Sequence, residues 1–438
     1  MTDVARMPSA VAVTDSYGGR SVGITVFRVS LALFVAVAVA RVHGLIPGLE
    51  VLRPGKLLMV PLLVTAMLAL PRWQPVLAMR TTVAKSIGVV ALLALLSIPL
   101  SVWPSNSLDV FLTTLLSSLI LFVVASAGFA DRETARLGIL VLVLSVGVGA
   151  LYVITGAAPE MAGRPHIGVG LDPNESAALF VFTLPFAIAL GVGRERRRWL
   201  GLAVALTLVA GVVATGSRGG VLALMVVGLI LILRAGRRWR RKYLLAVAVC
   251  ASIFVLTADD DQLAHFKTIF APEADYNVTD REGRIQVWTR GVRYMLAHPL
   301  LGVGIGGFET AEGVLSGKRN VGYGIRYTNA HNSFVQVGAE LGVFGLAAFI
   351  VAWWAAARGC RRIERRAIRD HAANPRISDQ EARLAASAHC ALLGLATAAF
   401  FLSLAYHPIT LFALAVCVGV RVGSPYEMAP SGRMAHPR

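Results

Sequence analysis

The sequence predicts an all-α polytopic membrane protein with about twelve transmembrane helices and one large outer loop that contains short amphipathic helices. Three observations carry this. Hydrophobic residues make up 56% of the 438 positions and charged residues 15%, with mean hydropathy +0.67, whereas a soluble chain carries roughly a quarter charged residues. Apolar runs near 20 residues long recur from end to end, the length a helix needs to cross a bilayer. The runs are continuous and do not alternate with period two, which favours helices over a barrel.

The spans fall near 24–41, 56–71, 83–101, 107–128, 136–156, 175–193, 199–215, 219–234, 243–257, 333–356, 386–404 and 406–421. The first is the weakest, with Arg28 near its start and "AVAVAR", a faint signal-peptidase pattern, at its end. It is read as an uncleaved anchor because further spans follow. Lys and Arg gather in the connectors "RERRR" (194–198), "RAGRRWRRK" (234–242) and "RGCRRIERRAIR" (358–369). With twelve spans these share one side with the N-terminus, so the positive-inside rule puts both termini in the cytoplasm. The net charge of +17 is therefore a topology signal and not a nucleic-acid footprint, with attraction to anionic membrane lipids as its second reading.

The organisation that follows is nine spans over 1–257, a periplasmic loop over 258–330, three spans over 331–422 and a cytoplasmic tail over 423–438. Functionally this is one membrane domain. Cys250, Cys390 and Cys417 fall in spans and Cys360 in a connector, so the loop has no disulfide framework.

The loop is where function is expected. Within "REGRIQVWTRGVRYMLAHP", Ile285, Trp288, Val292, Met295 and Leu296 form an apolar stripe, with Arg284, Arg290 and Arg293 off it. Such a helix suits the membrane interface. "PLLGVGIGGFE" follows. No strand precedes it, so it is a tight glycine turn and not a dinucleotide fingerprint.

Arginine persists on the outer side despite the charge bias: Arg164, Arg218, Arg281, Arg284, Arg290, Arg293, Arg319 and Arg326. Arg218 is the sharpest case, in "ATGSRGG" between two apolar spans. A planar guanidinium fork at a glycine turn suits phosphate, and Arg284 and Arg290 are the next candidates. In "GLDPNESAALF", Asp172 or Asn174 can cap the sixth span, and both are candidates for shaping a sugar pocket. Asp259 to Asp261 can ligate a divalent metal beside a diphosphate, but a solvated run is the simpler reading.

The junction of loop and tenth span, "HNSFVQVGAELGVFGL", places His331 and Asn332 at the membrane face and Glu340 deeper. Histidine is the side chain best matched to proton transfer near neutral pH. If 331–340 is helical, Glu340 lies about 13.5 Å further along and half a turn away. It is therefore expected to pair structurally with another span.

At these residues the chain resembles the O-antigen ligase and Wzy-type polymerase superfamily. The block His-Asn then Glu-x-Gly-x-x-Gly is carried by His331, Asn332, Glu340, Gly342 and Gly345, and "TGSRGG", "DPNES", "GRIQVW" and "HPLLGVGIGGF" resemble further blocks in the expected order. The resemblance covers roughly 170–350. It implies a GT-C-like membrane glycosyltransferase of the bacterial inner membrane, acting at the periplasmic face without metal, nucleotide sugar or other cofactor. The donor would be an undecaprenyl-diphosphate-linked oligosaccharide. The acceptor would be a second glycan (a polymerase of O-antigen or exopolysaccharide) or, alternatively, lipid A-core (a ligase). The polymerase is preferred because no residue here is peculiar to a lipid A acceptor. A chain-length regulator and export machinery are the further partners it admits.

On that resemblance, Arg218 with Arg284 or Arg290 would hold the diphosphate, and Asn332, Asp172 and Asn174 would line the pocket. His331 would take the acceptor proton or hydrogen-bond the diphosphate. The reading of another class is a transporter of polysaccharide or lipid-linked oligosaccharide, which twelve spans also suit. No self-similarity between halves supports it, and the polar residues cluster at one face.

Overall fold

The computed structural model describes residues 17–46, 48–71, 73–161, 163–168, 170–192, 198–236, 240–241, 244–245, 283–314, 328–372 and 375–428. Helices dominate: α1 Tyr17–Phe34, α2 Pro54–Ala69, α3 Trp73–Met79, α4 Thr82–Ser97, α5 Pro104–Val110, α6 Leu116–Gly128, α7 Arg132–Ile154, α8 Pro173–Val192, α9 Arg198–Ala214, α10 Arg218–Arg234, α11 Arg284–Ala297, α12 Phe308–Val314, α13 Ser333–Arg369, α14 Pro375–Ala399, α15 Pro408–Gly423 and α16 Pro425–Met428. Among the described residues, seven helices are long and apolar enough to cross a membrane, or eight if the pair α2–α3, bent by 111°, is one span. α9 and α15 are apolar but shorter. Most of the expected span 243–257, with Cys250, lies outside the described residues, as do Asp259 to Asp261, Arg281, Arg319, Arg326 and most of the "RERRR" connector.

Local chemistry sets the helix starts. Thr81 caps α4 by accepting from Ala84 N (3.2 Å), and Asp131 caps α7 by accepting from Thr134 N (3.0 Å). Arg28, the cation in the first apolar run, pairs with that same Asp131 at 2.8 Å, so its charge is met at a helix end and not in lipid. One core runs through the bundle, with Phe180, Phe182 and Phe412 fully buried in it.

Two expected boundaries shift. The arginine-rich stretch 358–369 is not a connector but the last turns of α13, and α14 starts at Pro375, well before 386. Both extensions are held by buried carboxylates. Glu364 pairs with Arg361 (2.8 Å) and Arg234 (3.6 Å), and Glu381 with Arg132 (3.0 Å).

A further correction concerns α13 itself. It is broken at Gly342 (φ 73°, ψ −170°), which frees backbone groups that a continuous helix would consume. The glycine loop 299–307 fills the break. Val303 N donates to Ala339 O (2.9 Å), Gly304 N to Glu340 O (3.1 Å), and Val343 N to Pro299 O (2.8 Å). Ser97, Ser101, Ser107 and Asn106, at the junction of α4 and α5, bond the loop's other side. Glu340 is buried against neighbouring elements: its Oε1 accepts from Phe308 N (3.3 Å) at the start of α12, and Tyr406, in the last expected span, lies against its carboxylate.

The stripe expected on 284–297 is real but is not the packed face. Val287, Gly291 and Tyr294 are buried, whereas Ile285, Val292 and Leu296 are exposed. Gly291 allows this, because a Cβ there would meet Val335 and Phe308. Ile285, Val292 and Leu296 of the stripe are left facing outward, as an interfacial helix requires, while Trp288 and Met295 are half-buried.

Candidate functional site

The site residues gather at the end of the bundle where α8, α10 and α15 begin and α14 ends. The tripeptide at the head of α13 is fixed first. His331 takes a left-handed backbone (φ 46°), a conformation that costs a non-glycine residue roughly 1–2 kcal/mol. Its N–H donates to Ser403 Oγ (2.9 Å). Ser333 Oγ donates to Leu402 O (2.6 Å) and accepts from Leu404 N (2.8 Å). Asn332 is buried and is the helix cap, its Oδ1 accepting from Phe334 N (2.9 Å) and Val335 N (3.1 Å). The turn after α14 thus holds His331 by backbone bonds, leaving its ring for other work.

Arg284 opens α11. Its charge acts on His331: burial pushes the imidazole below the ordinary histidine range, Arg284 pushes further, and Asp172 opposes both. Asp172, Arg284 and His331 therefore share one neighbourhood. One turn along α11, Trp288 donates from Nε1 to Ala330 O (3.0 Å) and stacks edge-on against Phe400 at 5.2 Å, with Phe401 at 6.4 Å.

Arg218 joins through the same aromatic pair. It is the first residue of α10, after the cap Ser217, which accepts from Gly220 N (3.1 Å). Gly219 lies against Phe401, where a Cβ would stand 3.2 Å away. Beyond the aromatics, an apolar groove of about 660 Å³ runs between α10 and α14, lined by Leu222, Met225, Leu229, Leu393, Phe400 and Phe401.

The remaining expected residues have structural partners. Asp172 Oδ1 accepts from Glu175 N (2.7 Å) while Glu175 Oε2 accepts from Asp172 N (3.0 Å), a reciprocal capping box at the head of α8. Asn174 Oδ1 accepts from Arg164 Nη2 (2.8 Å), and Arg164 Nε donates to Thr215 O (2.9 Å). Arg164 thereby staples the α8 turn to the turn before Arg218. Arg290 makes a forked pair with buried Glu312 (2.8 Å, 2.9 Å and 2.6 Å), which also accepts from Tyr294 Oη (2.8 Å).

One residue was missed by sequence reasoning. Arg41, at the end of the first apolar run, has a left-handed backbone (φ 56°) and lies against Gly170 of the α8 turn. The only sequence signal was a cation closing a span, which is ordinary at a helix end.

Residues 202–350, about a third of the chain, match the family model described as O-antigen ligase. This segment contains Arg218, Arg284, Arg290, His331, Asn332 and Glu340. No curated protein matches the chain.

Proposed function

Because residues 202–350 carry a domain of the O-antigen ligase and Wzy superfamily, we propose that the protein moves a glycan from a polyprenyl diphosphate carrier to an acceptor, and that the end of the bundle bearing His331 faces the periplasm. The supporting observation is that the turn bearing Arg218 and the helix bearing Arg284, whose charge acts on His331, both pack on Phe401, beside an apolar groove. Charge and grease adjoin there as they do in a lipid diphosphate.

In this reading the groove takes the isoprenoid chain, and Arg218 and Arg284 hold the diphosphate. Arg284 is preferred to Arg290 because its charge acts on His331, whereas Arg290 forks onto buried Glu312. An acceptor hydroxyl attacks the anomeric carbon, the bond from that carbon to the diphosphate oxygen breaks, and the electron pair leaves on phosphate. The two guanidinium groups stabilise that charge. His331, kept neutral by burial and Arg284, receives the hydroxyl proton. Positioning of two lipid-held substrates on one plane supplies much of the acceleration.

The acceptor defines two forms. A polymerase uses a second lipid-linked oligosaccharide, the form preferred from the sequence; a ligase uses lipid A-core, the form that the matched family's description favours. The test is reconstitution in bilayers with lipid-linked oligosaccharide on the accessible leaflet, with each acceptor offered separately. Release of polyprenyl diphosphate with glycan joined to one acceptor is expected, and His331→Ala should abolish it while the protein accumulates normally. Translocation without bond formation would instead identify a transporter, and full output from His331→Ala would remove the proposed base.

A further inference from the structure

Arg41 lies outside the matched segment, yet it is at the same end of the bundle as His331. Among the described residues, no hydrogen bond or ion pair holds its guanidinium, and its Nε is buried without a partner. Nη1 and Nη2 spread over Gly170, where a Cβ would stand 3.2 Å from Nη1. Glu175 is the nearest acid that acts on it but lies beyond ion-pair distance, and its carboxylate is engaged with Asp172 N.

Two buried ring nitrogens near this cation have no hydrogen-bond partner among the described residues: His43 Nδ1 and His407 Nε2. His407 and His43 both lie within electrostatic reach of Arg41. Buried polar groups ordinarily find partners, and a half-buried cation without a counter-charge is costly. The backbone is strained as well, since Arg41 is one of three non-glycine residues with positive φ among the described residues, and His331 is another. Such strain clusters where function over-determines the conformation.

The capping box links the two cationic neighbourhoods. Asp172 acts on His331, and Glu175 acts on Arg41. Glycan transfer between two lipid-borne substrates brings two phosphate-bearing headgroups to one membrane face, and a single arginine cluster cannot neutralise both.

We propose that Arg41 forms a second phosphoryl-binding subsite, distinct from that of Arg218 and Arg284, which holds the phosphate-bearing headgroup of the acceptor lipid. The assignment to the acceptor rests on the glycosyltransferase reading; the subsite itself does not. The planar fork of Arg41 supplies the charge, and the neighbouring imidazoles of His43 and His407 supply further hydrogen bonds.

The test titrates the full chain, in nanodiscs of uncharged lipid, with farnesyl diphosphate and counts bound equivalents by calorimetry. Two equivalents are expected. Arg41→Gln should remove one and leave the other at unchanged affinity, which also certifies the fold; Arg284→Gln should remove the other. If Arg41→Gln loses both, Arg41→Lys decides: it should keep the Arg284-dependent equivalent and weaken the second about tenfold. One equivalent in the wild type, or two left unaltered by either Arg41 variant, overturns the proposal. A transfer assay separates the sources. Arg41→Gln should raise the acceptor KM about tenfold, with lipid-linked oligosaccharide or with lipid A-core, and leave the donor KM alone. Two equivalents without any transfer would sink the glycosyltransferase reading and leave the subsite standing, whereas transfer with an unchanged acceptor KM sinks the subsite alone.

Discussion

At the scale of single residues, the charge environment of His331 makes a signed prediction. A base must be neutral, so activity falls as pH drops through its pKa. Burial and Arg284 hold that pKa below the usual 6.5 and Asp172 opposes them, so the acid limb of kcat/KM should lie below 6.5. Arg284→Gln removes a like charge and should move the limb upward. Asp172→Asn keeps a capping oxygen but removes an attractive charge, so it should move the limb downward. A limb that ignores both substitutions excludes His331 as the base. Arg290 separates from Arg284 by a different readout. Removing one partner of a buried pair costs roughly 3–5 kcal/mol, and Glu312 is 1% exposed while Arg290 is 15% exposed. Arg290→Gln should therefore lower thermal stability in detergent; a melting temperature unchanged from the wild type would contradict the structural role of this pair.

At the scale of elements, the break in α13 is the feature that orders the site. Gly342 sits at φ 73°, and a Cβ there would stand 2.3 Å from Pro299 O, so neither rotation nor space admits a side chain. Gly342→Ala should cost about 3 kcal/mol or more and expel the loop 299–307, and with it α12 and the bonds of Glu340. Thermal stability and protease sensitivity near Leu300 report this; an alanine variant with unchanged stability would show that the loop does not depend on the break. The block Glu-x-Gly-x-x-Gly, carried by Glu340, Gly342 and Gly345, gave no sign of this geometry. In sequence it reads as an uninterrupted helix, because its conformation is imposed by a loop some forty positions away. The same limit explains the packed face of α11. Its apolar stripe was legible, yet in a membrane protein the greasy face is not automatically the buried one, and packing instead follows the small residue Gly291. The membrane-length helices were legible from hydropathy, but the polar extensions of α13 to Arg369 and of α14 back to Pro375 were not. His331 and Arg218 were also legible, each at a polar junction between apolar runs. Arg41 was not, since a cation closing a span has an ordinary anchoring role and only burial distinguishes it.

At the scale of the whole molecule, the two ends of the bundle are chemically unlike. One carries arginines paired to carboxylates on neighbouring helices: Arg234 and Arg361 with Glu364, Arg132 with Glu381, and Arg421 with Glu427. The other carries Arg41, Arg218, Arg284 and His331 around two turns and an aromatic cluster. The first pattern ties helices together and is the one the positive-inside rule leads one to expect at a cytoplasmic end. In the proposed orientation the second departs from that rule, as binding of an anionic ligand there would require. Orientation follows and can be measured. Glu309 on α12 and Arg365 on α13 are both exposed and lie toward opposite ends. In a background with the native cysteines replaced by alanine, a membrane-impermeant maleimide should label Glu309→Cys in intact cells. It should reach Arg365→Cys only after the membrane is opened. Labelling in the reverse order would put the paired arginines outside and the His331 end in the cytoplasm. Lipid-linked glycan presented at the periplasmic face could not then reach Arg284 or His331, so the proposed reaction stands or falls with this orientation.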